Sequence, residues 1–196
     1  MRNRLREFLI AASRQSRSEM RSSMKIGILA VQGAFAEHEQ MLEQLGAEYI
    51  ELRKGEDVRQ SYDGLILPGG ESTVQGKLMR ELDMFDTIQS QIKNGMPVLA
   101  TCAGAILLAQ QLSNDAATHL ATLPAVVRRN AYGRQLGSFS VDEQIEGIGT
   151  FPMRFIRAPY IEKVLDDTKV LAKVDGNIVM VENKNQLAMS FHPELT

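Results

Sequence analysis

Residues 97–105 read PVLATCAGA, a short apolar run that meets a cysteine set among small residues. The run after Pro97 suits a strand buried on both faces of a parallel sheet, and Ala103, Gly104 and Ala105 suit the start of a helix packed closely on it. Cys102 then stands at a strand-to-helix turn. In such an elbow, small neighbours let the backbone bend sharply and project a nucleophile from the end of the sheet. Free N–H groups at the helix start favour a thiolate, and the N–H of Ala103 can point at a developing oxyanion. By itself the segment reads equally well as a small, buried, inert cysteine.

The alternation of strand and helix continues on both sides. Residues 25–31 (KIGILAV) form a strand, and Phe35, Leu42 and Leu45 mark a helix that stops at Gly46. Residues 49–52 and Gly64–Leu67 are further strands, the second broken by Pro68-Gly69-Gly70. Helices are predicted over Ser72–Glu81, Phe85–Lys93 and 103–112. Residues 125–140, with Arg128, Arg129, Tyr132 and Arg134 around Gly133, read as strands and turns. Residues 170–174, 178–181 and 187–191 are strands separated by the hairpin signals Asp175-Gly176-Asn177 and Asn183-Lys184-Asn185. The expected fold is α/β: three α/β/α layers, a mostly parallel central sheet and an antiparallel C-terminal extension, in one domain over residues 24–196.

Composition narrows the function. A chain of 196 residues with 44% apolar content can bury a full core. A net charge of -2 and a pI near 6.0 give no general basic field, so nucleic acid is not the expected partner. No apolar run approaches the roughly 18–20 residues of a spanning helix, so no membrane association is expected. The single cysteine excludes an internal disulfide and a multi-cysteine zinc site, and a free thiol suits the reducing cytoplasm. Residues 1–23 stand apart, with six arginines and two glutamates among five serines. That composition resembles a transit peptide, but the reading preferred here is an N-terminal extension ahead of a functional start at Met24, outside the folded domain.

A nucleophilic cysteine needs a base, and the chain offers three histidines. His38, between Glu37 and Glu39, reads as a solvated helix residue, and His119 as a loop residue. His192 lies in Ser190-Phe191-His192-Pro193-Glu194, where proline fixes the backbone and the carboxylate two positions on can orient the imidazole. The third element is Leu67-Pro68-Gly69-Gly70-Glu71-Ser72, whose paired glycines allow close backbone approach and whose Gly70 N–H is a candidate oxyanion donor. A phosphate loop is disfavoured, since no G-x-x-x-x-G-K-[ST] pattern is present and Glu71 would repel phosphate.

Taken together, AVQGAFAEH, LILPGGEST, TCAGAILLA, RRNAYGRQLGSF, FIRAPYI and SFHPELT resemble the triad-type class I glutamine amidotransferases, and most closely the glutaminase subunits of pyridoxal phosphate synthase. The resemblance runs from Met24 to Thr196. It implies a flavodoxin-like fold and a catalytic triad of Cys102, His192 and Glu194, with the oxyanion hole around Gly70. It implies glutamine contacts from Gly70, Glu71, Ser72, Arg129, Ile156 and Arg157. Glutamine carries both an ammonium and a carboxylate, which suits an acid such as Glu71 and cations such as Arg129 and Arg157. The implied reaction is hydrolysis of L-glutamine to glutamate and ammonia through a cysteine thioester, with no metal or organic cofactor. The ammonia would pass to a synthase subunit in a hetero-oligomeric complex, and full activity would wait for that partner. The family's chains continue past HPELT with a further helix, and the sequence departs from that pattern by stopping at Thr196. The competing readings are a glutaminase domain serving another acceptor and a non-catalytic regulatory module of the same fold.

Overall fold

A computed structural model describes residues 24–131 and 137–196. The expectations for residues 1–23, Tyr132, Gly133 and Arg134 lie outside the described residues. Five strands run parallel in the order β2 (Glu48–Leu52), β1 (Lys25–Leu29), β3 (Gly64–Leu67), β4 (Val98–Thr101) and β12 (Gln186–Met189). Beyond β12 the sheet turns antiparallel through β11 (Asn177–Asn183), β9 (Tyr160–Val164) and β6 (Leu123–Arg128). The edge strand β5 (Ala109–Leu112) runs parallel to β6, and β10 (Lys169–Val174) branches from β11. The parallel sheet with an antiparallel extension is the architecture expected from the sequence.

Alternation along the central strands builds two cores, because successive side chains point to opposite faces. Leu65 and Leu67 enter one apolar cluster and Ile66 the other; Val98 and Ala100 part from Leu99 in the same way. The first face is covered by helices: α3 (Ser72–Glu81) brings Met79, α4 (Phe85–Lys93) brings Ile88 and Ile92, and α5 (Ala103–Leu108) brings Ile106 to Leu108. The second face is shared by α1 (Phe35–Leu45), through Leu42, and a hairpin of β7 (Ser138–Ile145) and β8 (Gly149–Ile156), through Phe151, Met153 and Phe155. The sequence reading does not include that hairpin. A single turn, α2 (Gly55–Val58), joins β2 to β3.

Two expectations need correction. The helix expected over residues 103–112 ends at Leu108, because Ala109 adopts φ -56° and ψ 132° and the chain continues as β5. Its apolar composition fits helix or strand, and pairing of Ala109, Gln111 and Leu112 with β6 decides for strand. His38 is not solvated: it is 2% exposed. Phe35, His38, Leu42 and Leu45 share one helical stripe, and α1 turns that stripe toward the sheet.

Candidate active site

The carboxyl ends of β1, β3, β4 and β12 converge, and open α/β sheets bind ligands at such ends. Cys102 follows β4 directly, with φ 48° and ψ -105°. A non-glycine residue in that region is strained by about 1–3 kcal/mol and persists only when its surroundings hold it. Here the hold comes from both sides: Cys102 N–H donates to Met189 O at 2.8 Å, and Ala105 N–H returns to Cys102 O at 3.0 Å. The elbow expected from TCAGA is present, although the helix after it spans only six residues. Ala103, as its first residue, carries one of the N–H groups that a helix start leaves without an intrahelical acceptor.

His192 is carried in by the end of β12 and pinned by its N–H to Arg154 O at 2.8 Å. Pro193 then opens a 3-10 turn, Pro193–Leu195, which folds Glu194 back beneath the ring. His192 Nδ1 lies 2.7 Å from Glu194 Oε1, both side chains being buried. The Cε1 edge of the ring faces the β3 turn: a Cβ on Gly69 would sit 2.3 Å from His192 Cε1 and 3.4 Å from Cys102 Cβ. Glycine at this position lets imidazole and thiol meet over the backbone.

Charge follows from this packing. Burial opposes a charged His192, but the neighbouring Cys102 sulfur and the hydrogen-bonded Glu194 carboxylate outweigh it and push the imidazole up to about 10. Burial likewise raises the Glu194 carboxyl, and the attraction of His38 and His192 more than reverses it. His38 itself is held below the usual histidine range by burial, despite Glu194. The cation facing the carboxylate is therefore His192.

Gly70, Glu71, Ser72, Cys102, Arg129, Ile156, Arg157 and His192 line one cavity of about 550 Å³. Glu194 stands behind His192, outside the lining. Ile156 closes the cavity from the end of β8, with its carbonyl 3.9 Å from Cys102 Sγ. Arg157 follows at φ 45°, with its N–H donated to Gly137 O. Glu71 caps α3, accepting from Val74 N–H at 3.0 Å, and its carboxylate lies 3.2 Å from Arg129. Arg129 also pairs with Asp115 at 2.7 Å. Ser72 Oγ is buried and has no hydrogen-bond partner among the described residues.

Several groups at the site were not singled out from sequence. Gln32 accepts the Glu71 N–H at 2.8 Å, while Gln75 donates to Gln32 O and Pro68 O. Ala34 N–H donates to Gly69 O at 2.9 Å, so the loop after β1 clamps the glycine turn. His38 and Thr101 lie behind the nucleophile, with His38 Nε2 3.3 Å from Thr101 Oγ1. His119 sits in a loop against Gly76 of α3, outside the cavity lining. A larger depression of about 720 Å³ lies between the β7–β8 turn and β10, lined by Gln144, Glu146 and Lys173 among others, with no cysteine, serine or histidine in its lining. Chemistry favours the smaller cavity.

Residues 28–196 match the SNO glutamine amidotransferase family. The pyridoxal 5'-phosphate synthase subunit PdxT of Desulfitobacterium hafniense (strain DSM 10664 / DCB-2) is 63% identical over 172 residues, covering 88% of this chain and 86% of its own. The protein of the same name from Streptococcus pneumoniae (strain CGSP14) is 54% identical over 176 residues, covering 88% and 91%. Among solved structures, one titled as a glutamine amidotransferase superposes with a TM-score of 0.83 at 43% identity, covering 87% of this chain and 91% of that one. The PurLQS structure from Thermotoga maritima, at 19% identity and a TM-score of 0.62, shares the fold.

Proposed function

The chain belongs to the SNO glutamine amidotransferase family, and on that premise we propose that it hydrolyses L-glutamine to L-glutamate and ammonia through a thioester on Cys102. The observation that carries this reading is the buried His192–Glu194 pair at 2.7 Å, set against a cysteine on a strained turn. With the imidazole pushed up to about 10, His192 carries a proton that the departing nitrogen can take, and Cys102 Sγ is the nucleophile.

The thiolate attacks the side-chain amide carbon, forming the C–S bond as the carbonyl electron pair moves to oxygen. The N–H groups of Gly70 and Ala103 receive that oxyanion. As the tetrahedral species collapses, the C–N bond breaks and His192 gives its proton to the departing nitrogen, releasing ammonia. Neutral His192 then takes a proton from water while the water oxygen attacks the thioester. The C–S bond breaks, glutamate leaves and the thiolate–imidazolium pair is restored. Glu194 keeps the ring in the required tautomer and balances its charge. These steps transfer protons and an acyl group, without electron transfer.

Gly70, Glu71, Ser72, Arg129, Ile156 and Arg157 are the proposed glutamine contacts. Glu71 and Arg129 pair at 3.2 Å in the cavity lining, so bound glutamine would exchange that ion pair for its own ammonium on Glu71 and its carboxylate on Arg129. The relatives are named as subunits of pyridoxal 5'-phosphate synthase, which supports a further step: ammonia passes to a synthase subunit, in a hetero-oligomeric complex, for pyridoxal 5'-phosphate synthesis. The free thiol of Cys102 suits the reducing cytoplasm as its place.

The test is glutamate and ammonia release by the chain, alone and mixed with the synthase subunit from the same cell. Release should rise on mixing, with ammonia appearing in pyridoxal 5'-phosphate rather than in solution. A mixture that forms no glutamate would sink the reading.

A further inference from the structure

Glu194 lies between two histidines, and the reaction proposed above uses only one of them. Its Oε1 faces His192, whereas its Oε2 is buried and has no hydrogen-bond donor among the described residues. A histidine N–H candidate, His38 Nε2, lies 3.6 Å away on α1, with side-chain exposures of 3% and 0% for the two groups. The same nitrogen lies 3.3 Å from Thr101 Oγ1, and that oxygen accepts the Gly69 N–H at 3.1 Å. Thr101 immediately precedes Cys102, and Gly69 immediately precedes Gly70. One buried imidazole thus lies against the acid of the site and the strand end that holds the nucleophile, and Thr101 Oγ1 links it to the turn that holds the oxyanion donor.

We propose that His38 is a positioning residue: its Nε2–H holds Glu194 Oε2, so that Oε1 stays aimed at His192 Nδ1. A carboxylate fixed through one oxygen can rotate, and a buried oxygen left without a donor is costly. Donation by neutral His38 answers both. The 3.6 Å separation is just beyond hydrogen-bond reach, and such contacts tighten when the substrate complex forms. The groups facing His38 are Glu194, His192 and Thr101, with Glu37 on its own helix. Of these, Glu194 holds the proton-accepting oxygen that lacks a partner.

This proposal rests on the assignment of Cys102, His192 and Glu194, so its test includes a readout that needs no glutamine turnover. Cys102 is the single cysteine, and the pH profile of its alkylation by iodoacetamide in the full chain reports the thiolate–imidazolium pair directly. His38→Leu fills the site without an N–H, His38→Ala adds no bulk, and His38→Gln returns a donor at the Nε2 position. In both apolar variants the alkylation midpoint should move up by about one pH unit, a tenfold loss of thiolate below it. His38→Gln should restore the wild-type midpoint. With the synthase subunit present, kcat should fall about tenfold or more in the apolar variants while KM holds. An unshifted midpoint in either apolar variant overturns the proposal, and so does a shift that His38→Gln fails to reverse. A wild type that alkylates at low pH but never forms glutamate would instead overturn the proposed reaction, leaving the His38 result to be judged on alkylation alone.

Discussion

Replacing Glu194 by glutamine isolates what the carboxylate does for its neighbour. The amide keeps the shape of the site but can present N–H to His192 Nδ1, which selects the wrong tautomer, and a change of this kind costs about 10⁴-fold in kcat in serine protease triads. A similar fall is expected for glutaminase turnover in Glu194→Gln, read by glutamate release. The raised His192 predicts a pH dependence of stability as well. A histidine whose folded value lies near 10 contributes its full stabilisation below its ordinary 6.5 and loses it as pH climbs toward 10. Glu194, held low, contributes above its ordinary 4.5 and loses that contribution as pH falls. Urea denaturation of wild type and His192→Gln should therefore show the widest gap between about pH 5 and 6.5 and a narrowing gap toward pH 10. A gap that widens with pH would contradict the charge assignment. At this scale, Cys102, His192 and Glu194 were legible because their spacing and flanking residues carry chemistry. His38 was not: two flanking glutamates suggest a solvated ring, and only the 35–38–42–45 stripe points inward.

At the scale of elements, the nucleophile depends on how closely α5 sits against β3. A Cβ on Gly104 would lie 2.1 Å from the Leu67 carbonyl oxygen, a backbone atom that cannot move without disturbing the strand leading to Gly69 and Gly70. Overpacking of this kind costs typically about 1–3 kcal/mol. Gly104→Ala should lose at least that much stability in chemical denaturation and should lower kcat by shifting Cys102; an alanine variant as stable and active as wild type would show that the contact is slack. The sequence marks α3 and α4 end to end as Ser72–Glu81 and Phe85–Lys93, because Pro-Gly-Gly and Asn-Gly punctuate them. It does not mark the end of α5, where no glycine or proline breaks the run and only a distant strand, β6, supplies the competing hydrogen bonds.

Over the whole molecule, four parallel strands deliver their carboxyl ends to one place, and the β7–β8 hairpin closes over it from the second face. Phe155 fastens that hairpin, stacking on Phe139 at 4.5 Å and meeting Phe191 edge-on at 5.8 Å, one residue before His192. Phe155→Ala should cost about 3–5 kcal/mol. It should also raise KM, because Ile156 and Arg157 at the cavity wall follow directly; a stability loss with unchanged KM would detach the hairpin from substrate binding. The hairpin escaped sequence reading because β7 alternates small, charged and apolar residues, SFSVDEQI, with only its end fully buried. Its turn, Glu146-Gly147-Ile148, lacks the two-residue Asn-Gly or Asp-Gly signature. The centre of the parallel half was legible because β1, β3 and β4 are buried on both faces and read as near-continuous apolar runs.

The central claim is that the Cys102 sulfur attacks the glutamine side chain, and a chloromethyl ketone analogue of glutamine tests it most directly. Mass analysis of the peptides after labelling in the presence of the synthase subunit should find one adduct, on Cys102, suppressed by excess L-glutamine and absent from Cys102→Ala, which should also form no glutamate. Labelling at another residue that L-glutamine protects, together with glutamate formation by Cys102→Ala, would contradict it.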